Sequence, residues 1–211
     1  MGVSRYITRE QDRVQNCCVL LSGFAFQSKI VGNGGRQILS VKIPGDIIDL
    51  QHAFLKIADH SIQMLSTGDV AVVPAEALRE LAFARPAIGQ AMWIETLVEG
   101  SILREWMANI GRRDAKARVA HFLCEIAVRL AAAGLTTGNR YDLPMTQEQL
   151  GDATGLTPVH VNRTLQALRS DGLISRDKHA ITIEDWKALS AVGDFATAYL
   201  HPIAAFIPNF A

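Results

Sequence analysis

The residues of this chain best suited to chemistry lie close together, between Thr157 and Lys178. The run Thr157-Pro-Val-His-Val-Asn-Arg-Thr-Leu-Gln-Ala-Leu-Arg169, wound as a helix, turns Val161, Leu165 and Leu168 inward. Val159, His160, Asn162, Arg163, Gln166 and Arg169 are left outside. That outer face can read the edges of stacked bases. The Arg163 guanidinium is a fork that matches the two acceptors of guanine. Asn162 can pair with adenine or hold a phosphate, and His160 can donate to a guanine or a phosphate. Val159 accepts nothing and can make only apolar contact, best with a thymine methyl. Thr157 as N-cap and Pro158 at the first helical position fix the end that would enter a major groove. Lys178, with His179 beside it, sits in a polar turn where it can reach phosphate.

The neighbouring sequence supplies the elements that would hold this face. Thr146-Gln-Glu-Gln149 is a capping box that opens a short helix with Leu150 and Ala153 inward. Gly155 then provides a turn between two helices, the helix-turn-helix pattern. Leu143–Met145 reads as a short strand before it. Gly172–Ile174 and Ala180–Ile183 flank Asp177-Lys-His179 as a hairpin, or wing. The competing reading is a plain three-helix packing unit with a solvated polar face. Capping box, turn glycine, Thr-Pro cap, outward arginine and hairpin together favour double-stranded DNA as the partner.

Upstream, the chain to about Ala75 is rich in short strands and turns, the texture of a barrel or sandwich. Cys17–Phe26 is apolar and partly alternating. Gly32-Asn-Gly-Gly35 separates strand-like Phe24–Val31 and Arg36–Ile43, and Ser61–Leu65 and Val70–Val73 follow. Ala75–Phe83 reads as a short helix. From Pro86 to Ile110 a long amphipathic helix is expected, with Ile88, Met92, Ile102 and Trp106 as its apolar stripe. At about 1.5 Å per residue it exceeds 30 Å, which suits a dimerisation helix, against the plainer reading of a linker helix packed on the β domain. Asp114–Ala133 is a further helix stopped at Gly134, and Thr136–Tyr141 a polar loop. Trp186, Leu189, Val192, Phe195, Tyr199 and Leu200 suggest a last amphipathic helix, followed by an apolar Pro202–Pro208.

The fold class expected is therefore α+β: an N-terminal β-roll of jelly-roll type, a long dimerisation helix, and a C-terminal winged helix-turn-helix. The divisions fall at 1–85, 86–110, 111–185 and 186–211. With 211 residues, 49% apolar, 20% charged and no formal net charge, the chain is no polycation, so any grip on nucleic acid is local. Its three cysteines form no disulfide framework, and adjacent Cys17 and Cys18 rarely pair. A polar start without a signal peptide, and no apolar run near 20 residues, point to a cytoplasmic protein without a membrane partner. No nucleophile–base pair, metal-ligand spacing or phosphate-cradling loop stands out, so neither an enzyme nor a cofactor or metal is expected.

Leu143–Ile174 resembles the C-terminal winged helix of the Crp/Fnr family of bacterial transcription regulators. Gly111–Leu123 is similar to that family's junction between dimer helix and DNA-binding domain, and Gly34–Asp46 to the middle of its cyclic-nucleotide-binding-type roll. The resemblance spans roughly Cys18–Ile183. It implies a homodimer on a two-fold symmetric site, a signal passing from roll to DNA domain, and RNA polymerase as a partner if the protein activates.

The departures bear on the signal. Leu50 stands where cyclic-nucleotide binders carry a ribose-holding glutamate, and Asp59 or His60 where they carry a phosphate-holding arginine. Neither replaces a guanidinium clamp, so cyclic AMP is not the expected effector, and the effector is left unknown. An iron–sulfur cluster of the family's oxygen sensors needs four thiolates, one more than the chain has. His52, His60, Cys17 and Cys18 could serve a haem or a thiol switch, but are more simply satisfied polar or buried strand residues. The roll offers only Met1–Asn16 before its Cys17 strand, so its open edge needs a cover: the N-terminal arm, a partner chain or the C-terminal tail. The alternative function is a protein-interaction module, with a degenerate sensor roll and only secondary DNA contact.

Overall fold

The computed structural model describes residues 1–206, with the side chains of the first 201. It divides into two compact units, Met1–Gly100 and Ser101–Ala211, joined through one continuous helix. That division falls inside the long helix, so the helix contributes its first half to one unit and its second to the other.

The first unit is a pair of antiparallel sheets. One has the order β1-β6-β3-β4, from β1 (Tyr6–Thr8), β3 (Ala25–Ile30), β4 (Arg36–Lys42) and β6 (Ser61–Met64). The other has the order β5-β2-β7, from β2 (Asn16–Leu20), β5 (Ile47–Ile48) and β7 (Val70–Pro74). The N-terminal arm itself covers the edge of β6, with Tyr6 opposite Gln63 and Thr8 opposite Ile62. Leu20, Ala25, Ile48, Ile62 and Met64 form the core of the roll. The apolar run Cys17–Phe26 is not one strand: it breaks at Ser22-Gly23 into β2 and β3, which join different sheets. Gly23 has φ +78, and a Cβ on the facing Gly68 would lie 2.1 Å from the Ser22 carbonyl oxygen. Two backbones cross there, which only glycine permits.

A 3-10 turn (Leu50–Ala53), α1 (Ala75–Ala84) and the start of α2 (Pro86–Arg112) complete this unit around Cys17, Leu50, Ala53, Ala75 and Met92. The stripe expected to face a second chain is corrected here. Met92, Ile102 and Trp106 are 8%, 8% and 6% exposed within this chain alone, and Ile88 packs against the Met92 cluster. The large apolar side chains α2 leaves in solvent are Trp93, Ile94 and Leu97 in the first unit and Leu103 and Met107 in the second.

In the second unit, α3 (Ala115–Ala132) starts at Asp114, whose carboxylate accepts from the Lys116 and Ala117 amides, and Gly134 ends it at φ +71. β8 (Arg140–Asp142), α4 (Gln147–Thr154), α5 (Pro158–Ser170), β9 (Ile174–Asp177), β10 (Ala180–Ile183) and α6 (Trp186–Val192) follow. The expected strand Leu143–Met145 is displaced: β8 lies earlier, in what reads as loop, with Asp142 opposite Ala180. Pro144 has no N–H to offer a ladder, so pairing stops before it, while Leu143 and Met145 stay buried. The expected C-terminal helix also ends early, at Gly193-Asp194. A Cβ at Gly193 would meet the His121 amide nitrogen at 2.7 Å, and Asp194 adopts φ +47. The chain resumes as 3-10 turns from Thr197 to Phe206. The apolar end of the Pro202–Pro208 stretch lies outside the described residues.

Candidate nucleic-acid interface

The capping box forms as the residues dictate. Thr146 Oγ1 accepts from the Gln149 amide at 3.1 Å, and Gln149 Oε1 accepts from the Thr146 amide at 2.9 Å. Leu150 and Ala153 are buried, and Gly155 closes α4 in the left-handed region at φ 66. Gly151 matters as much: a Cβ there would lie 2.4 Å from the Leu156 carbonyl oxygen. The tight turn needs glycine at both positions.

Thr157 Oγ1 caps α5 by accepting from the His160 amide at 3.3 Å, with Pro158 next in line. Val161, Thr164, Leu165 and Leu168 are buried beneath. Thr157, Pro158, Val159, His160, Arg163, Gln166 and Arg169 are exposed, Val159 at 64%. They form one surface on a helix whose first turn is held by its own cap. Asn162 is half-buried, and its amide donates to Gln147 Oε1 at 3.3 Å, which ties α5 to α4. β9 and β10 pair as a two-residue hairpin with Lys178 and His179 exposed at its tip. Lys178 takes φ +53, and Arg176 Nε donates to its carbonyl at 3.1 Å.

Sequence reasoning missed the side chains that brace this surface. Arg118 donates through Nε to the Arg113 carbonyl and through Nη1 to the carbonyls of Thr154 and Gly155, at the turn itself. Lys116 pairs with Asp171 at the end of α5. Behind them lies a polar core on α3. Glu125, wholly buried, accepts from Trp106 Nε1 at 3.0 and 3.1 Å and from the Tyr199 hydroxyl at 2.7 Å. Burial raises its pKa above the ordinary 4.5, and the Arg129 charge and the two donors only partly offset that. His121 Nδ1 lies 3.1 Å from the Gly193 carbonyl oxygen, and Nε2 lies 3.1 Å from the Tyr199 hydroxyl. The one signal for this core was a glutamate set in the apolar run Val119–Leu130.

In the roll, Asp59 and His60, which stand where cyclic-nucleotide binders carry an arginine, belong to a cluster of bonded polar side chains. Ser40 donates to Gln27 at 2.6 Å, Gln27 to Asp49 at 2.7 Å, and His60 lies 2.8 Å from Asp49 and 2.7 Å from Asp59. Burial opposes charge on His60, but its hydrogen bonds and the charges of Asp49 and Asp59 prevail, holding its pKa above 6.5. His52 is shifted below 6.5 by burial, and Leu50 is core. Burial pushes the Cys17 thiol up to about 11 and raises Cys18 as well, the opposite of what a thiol switch needs.

Residues 117–192 match the family model of the Crp-like helix-turn-helix domain. The transcriptional activator protein FnrL of Cereibacter sphaeroides is 29% identical over 190 residues, 87% of this chain and 75% of that protein. The nitrogen fixation regulation protein FixK of Azorhizobium caulinodans is 29% identical over 161 residues, 76% of this chain and 64% of that protein. FixK2 of Bradyrhizobium japonicum superposes with a TM-score of 0.82 at 23% identity, over 90% of this chain and 93% of that one. A CRP-family regulator of Thermus thermophilus gives 0.72 at 18%, over 92% and 95%. Fold and sequence together define a DNA-binding transcription regulator with a winged helix-turn-helix. The chain is similar to regulators of the Crp/Fnr family, and its residues 117–192 to that family's helix-turn-helix domain.

Proposed function

We propose that the protein acts as a homodimer that reads a two-fold symmetric DNA site with α5, under an effector other than cyclic AMP. The observation that carries it is the exposed, end-capped face of α5, with Arg163 on it and Val159 four residues earlier. Arg163 reads a guanine; Val159, His160, Asn162 and Gln166 tune the flanking bases; Thr157, Pro158 and Lys178 hold the backbone. Two such helices need a dimer to engage two half-sites. Its interface in this reading is the exposed stripe of α2 formed by Leu97, Leu103 and Met107, which replaces the stripe expected from sequence. The four functional parts, 1–85, 86–110, 111–185 and 186–211, follow from it. As an activator the protein would touch RNA polymerase, and its work on DNA implies the cytoplasm.

The test is a binding selection with purified protein followed by two variants. Arg163→Ala should cost roughly 1–3 kcal/mol and relax one position of each half-site. Lys178→Ala should weaken all sequences about equally and shrink the salt dependence. If both variants lose affinity uniformly across sequences, Arg163 is a phosphate contact and the assignment fails. Leu97→Asp with Met107→Asp should yield monomer by light scattering, and an unchanged dimer would refute the interface.

A further inference from the structure

A concavity of about 500 Å³ opens in the first unit, between the 3-10 turn, α1 and the first turns of α2. Its floor includes the core residues Leu50 and Met92. Its rim carries Phe54, Leu55, Phe83 and Trp93, large apolar side chains that remain exposed, Phe83 at 76% and Trp93 at 70%. Phe54 and Phe83 meet edge to face across it, ring centroids 6.4 Å apart. Among the described residues, no side chain lining the cavity is charged. Of its polar groups, Thr96 donates to the Met92 carbonyl and Gln51 to Asp59, which leaves Gln90 at the edge.

We infer that this cavity is a binding site for a small, neutral, aromatic ligand. The volume is that of ordinary small-molecule sites, which are apolar with few polar groups. Exposed apolar side chains gathered around a hollow mark a binding surface, whereas single ones do not. Rings from three separate elements offer faces and edges to a flat ring between them. The uncharged lining gives a phosphate or carboxylate no partner and makes it pay desolvation, so the ligand class is neutral. The polar centre of the roll is a different place, where Gln27, Ser40, Asp49 and His60 are bonded to one another. A ligand in the cavity touches the 3-10 turn at Leu50 and α2 at Met92 and Trp93, so its binding is felt by the helix that runs into the second unit.

The test uses the full chain and N-phenyl-1-naphthylamine, a neutral aromatic fluorophore, as probe. Saturable binding of one probe per chain is expected, with energy transfer from tryptophan. Trp93→Phe should remove most of the transfer and keep the binding. Phe83→Asp sets a charge on the exposed rim and should weaken binding roughly tenfold or more, without lowering the melting temperature. Val72→Asp, exposed on the roll, should change nothing. Leu97→Asp, on α2 outside the cavity lining, should also leave binding as it is. Uptake that never saturates, or an equal loss in Val72→Asp, would overturn the site. So would binding that appears only in Leu97→Asp, because the cavity would then be filled by a second copy of the chain.

Discussion

Tyr199 is one point at which the C-terminal segment is tied to the DNA-reading unit, and Tyr199→Phe removes its hydroxyl alone. The phenol pKa is raised far out of the accessible range, first by burial and then by the Glu125 charge, so the hydroxyl remains a donor at every working pH. It donates to Glu125 Oε2 at 2.7 Å. Deleting it removes no packing atom of the ring, takes the hydroxyl away from His121 Nε2, and leaves a wholly buried carboxylate with Trp106 as its remaining neutral donor. A hydrogen bond to a charged group contributes about 1.5–3 kcal/mol, a neutral one about 0.5–1.5. For a chain of this size that is a fall in melting temperature of roughly 3–12 °C at neutral pH. The sign of the pH dependence follows from Glu125. Its pKa in the folded state already exceeds the ordinary 4.5, so this group costs stability increasingly as pH rises above 4.5 toward its folded value. Losing a donor raises that folded pKa further, so the variant should fall further behind wild type at pH 8 than at pH 5. Urea denaturation followed by tryptophan emission measures both differences. The exposed face of α5 is untouched, so DNA affinity at a temperature where both proteins are folded should not change. An equal loss at both pH values, or none, would refute the charged carboxylate as the acceptor that matters.

Three further outcomes are expected. Burial, with the Arg113 charge behind it, depresses the pKa of His121 below 6.5; the stability it contributes is present above pH 6.5 and lost as pH falls toward the folded value, at up to about 1.4 kcal/mol per pH unit. His121→Gln should flatten that slope in denaturation curves, and an unaltered slope would assign it to other groups. Val159→Glu should shift the selected half-site toward cytosine at its step by about 1 kcal/mol or more; a wild-type site with invariant cytosine there would mean α5 docks in another register. Cyclic AMP at millimolar concentration should produce no thermal shift, whereas a ligand at 100 times its Kd would add about 2.7 kcal/mol.

The DNA-reading half was legible in the sequence because its signals are local. A capping box, the turn glycine Gly155, a Thr-Pro cap and the inward spacing of Val161, Leu165 and Leu168 each act within a few residues, and α4 and α5 follow from them. Sequence alone also gave α2 its length, since a helix from Pro86 needs only the absence of a break. Which face of α2 is buried is a different matter. Ile88, Met92, Ile102 and Trp106 and the stripe Trp93, Leu97, Leu103 and Met107 are both apolar and both helical in spacing. Only the packing of the chain on itself decided that the first set is core and the second exposed. The break of the Cys17–Phe26 run rests on a backbone crossing with Gly68, and the end of the last helix on the approach of Gly193 to His121. The Glu125 network joins α3 to Trp106, 19 residues earlier in the chain, and to Tyr199, 74 residues later. Such contacts have no local signature: the spacing of residues fixes what an element can bury, and the partner that buries it is chosen by the fold.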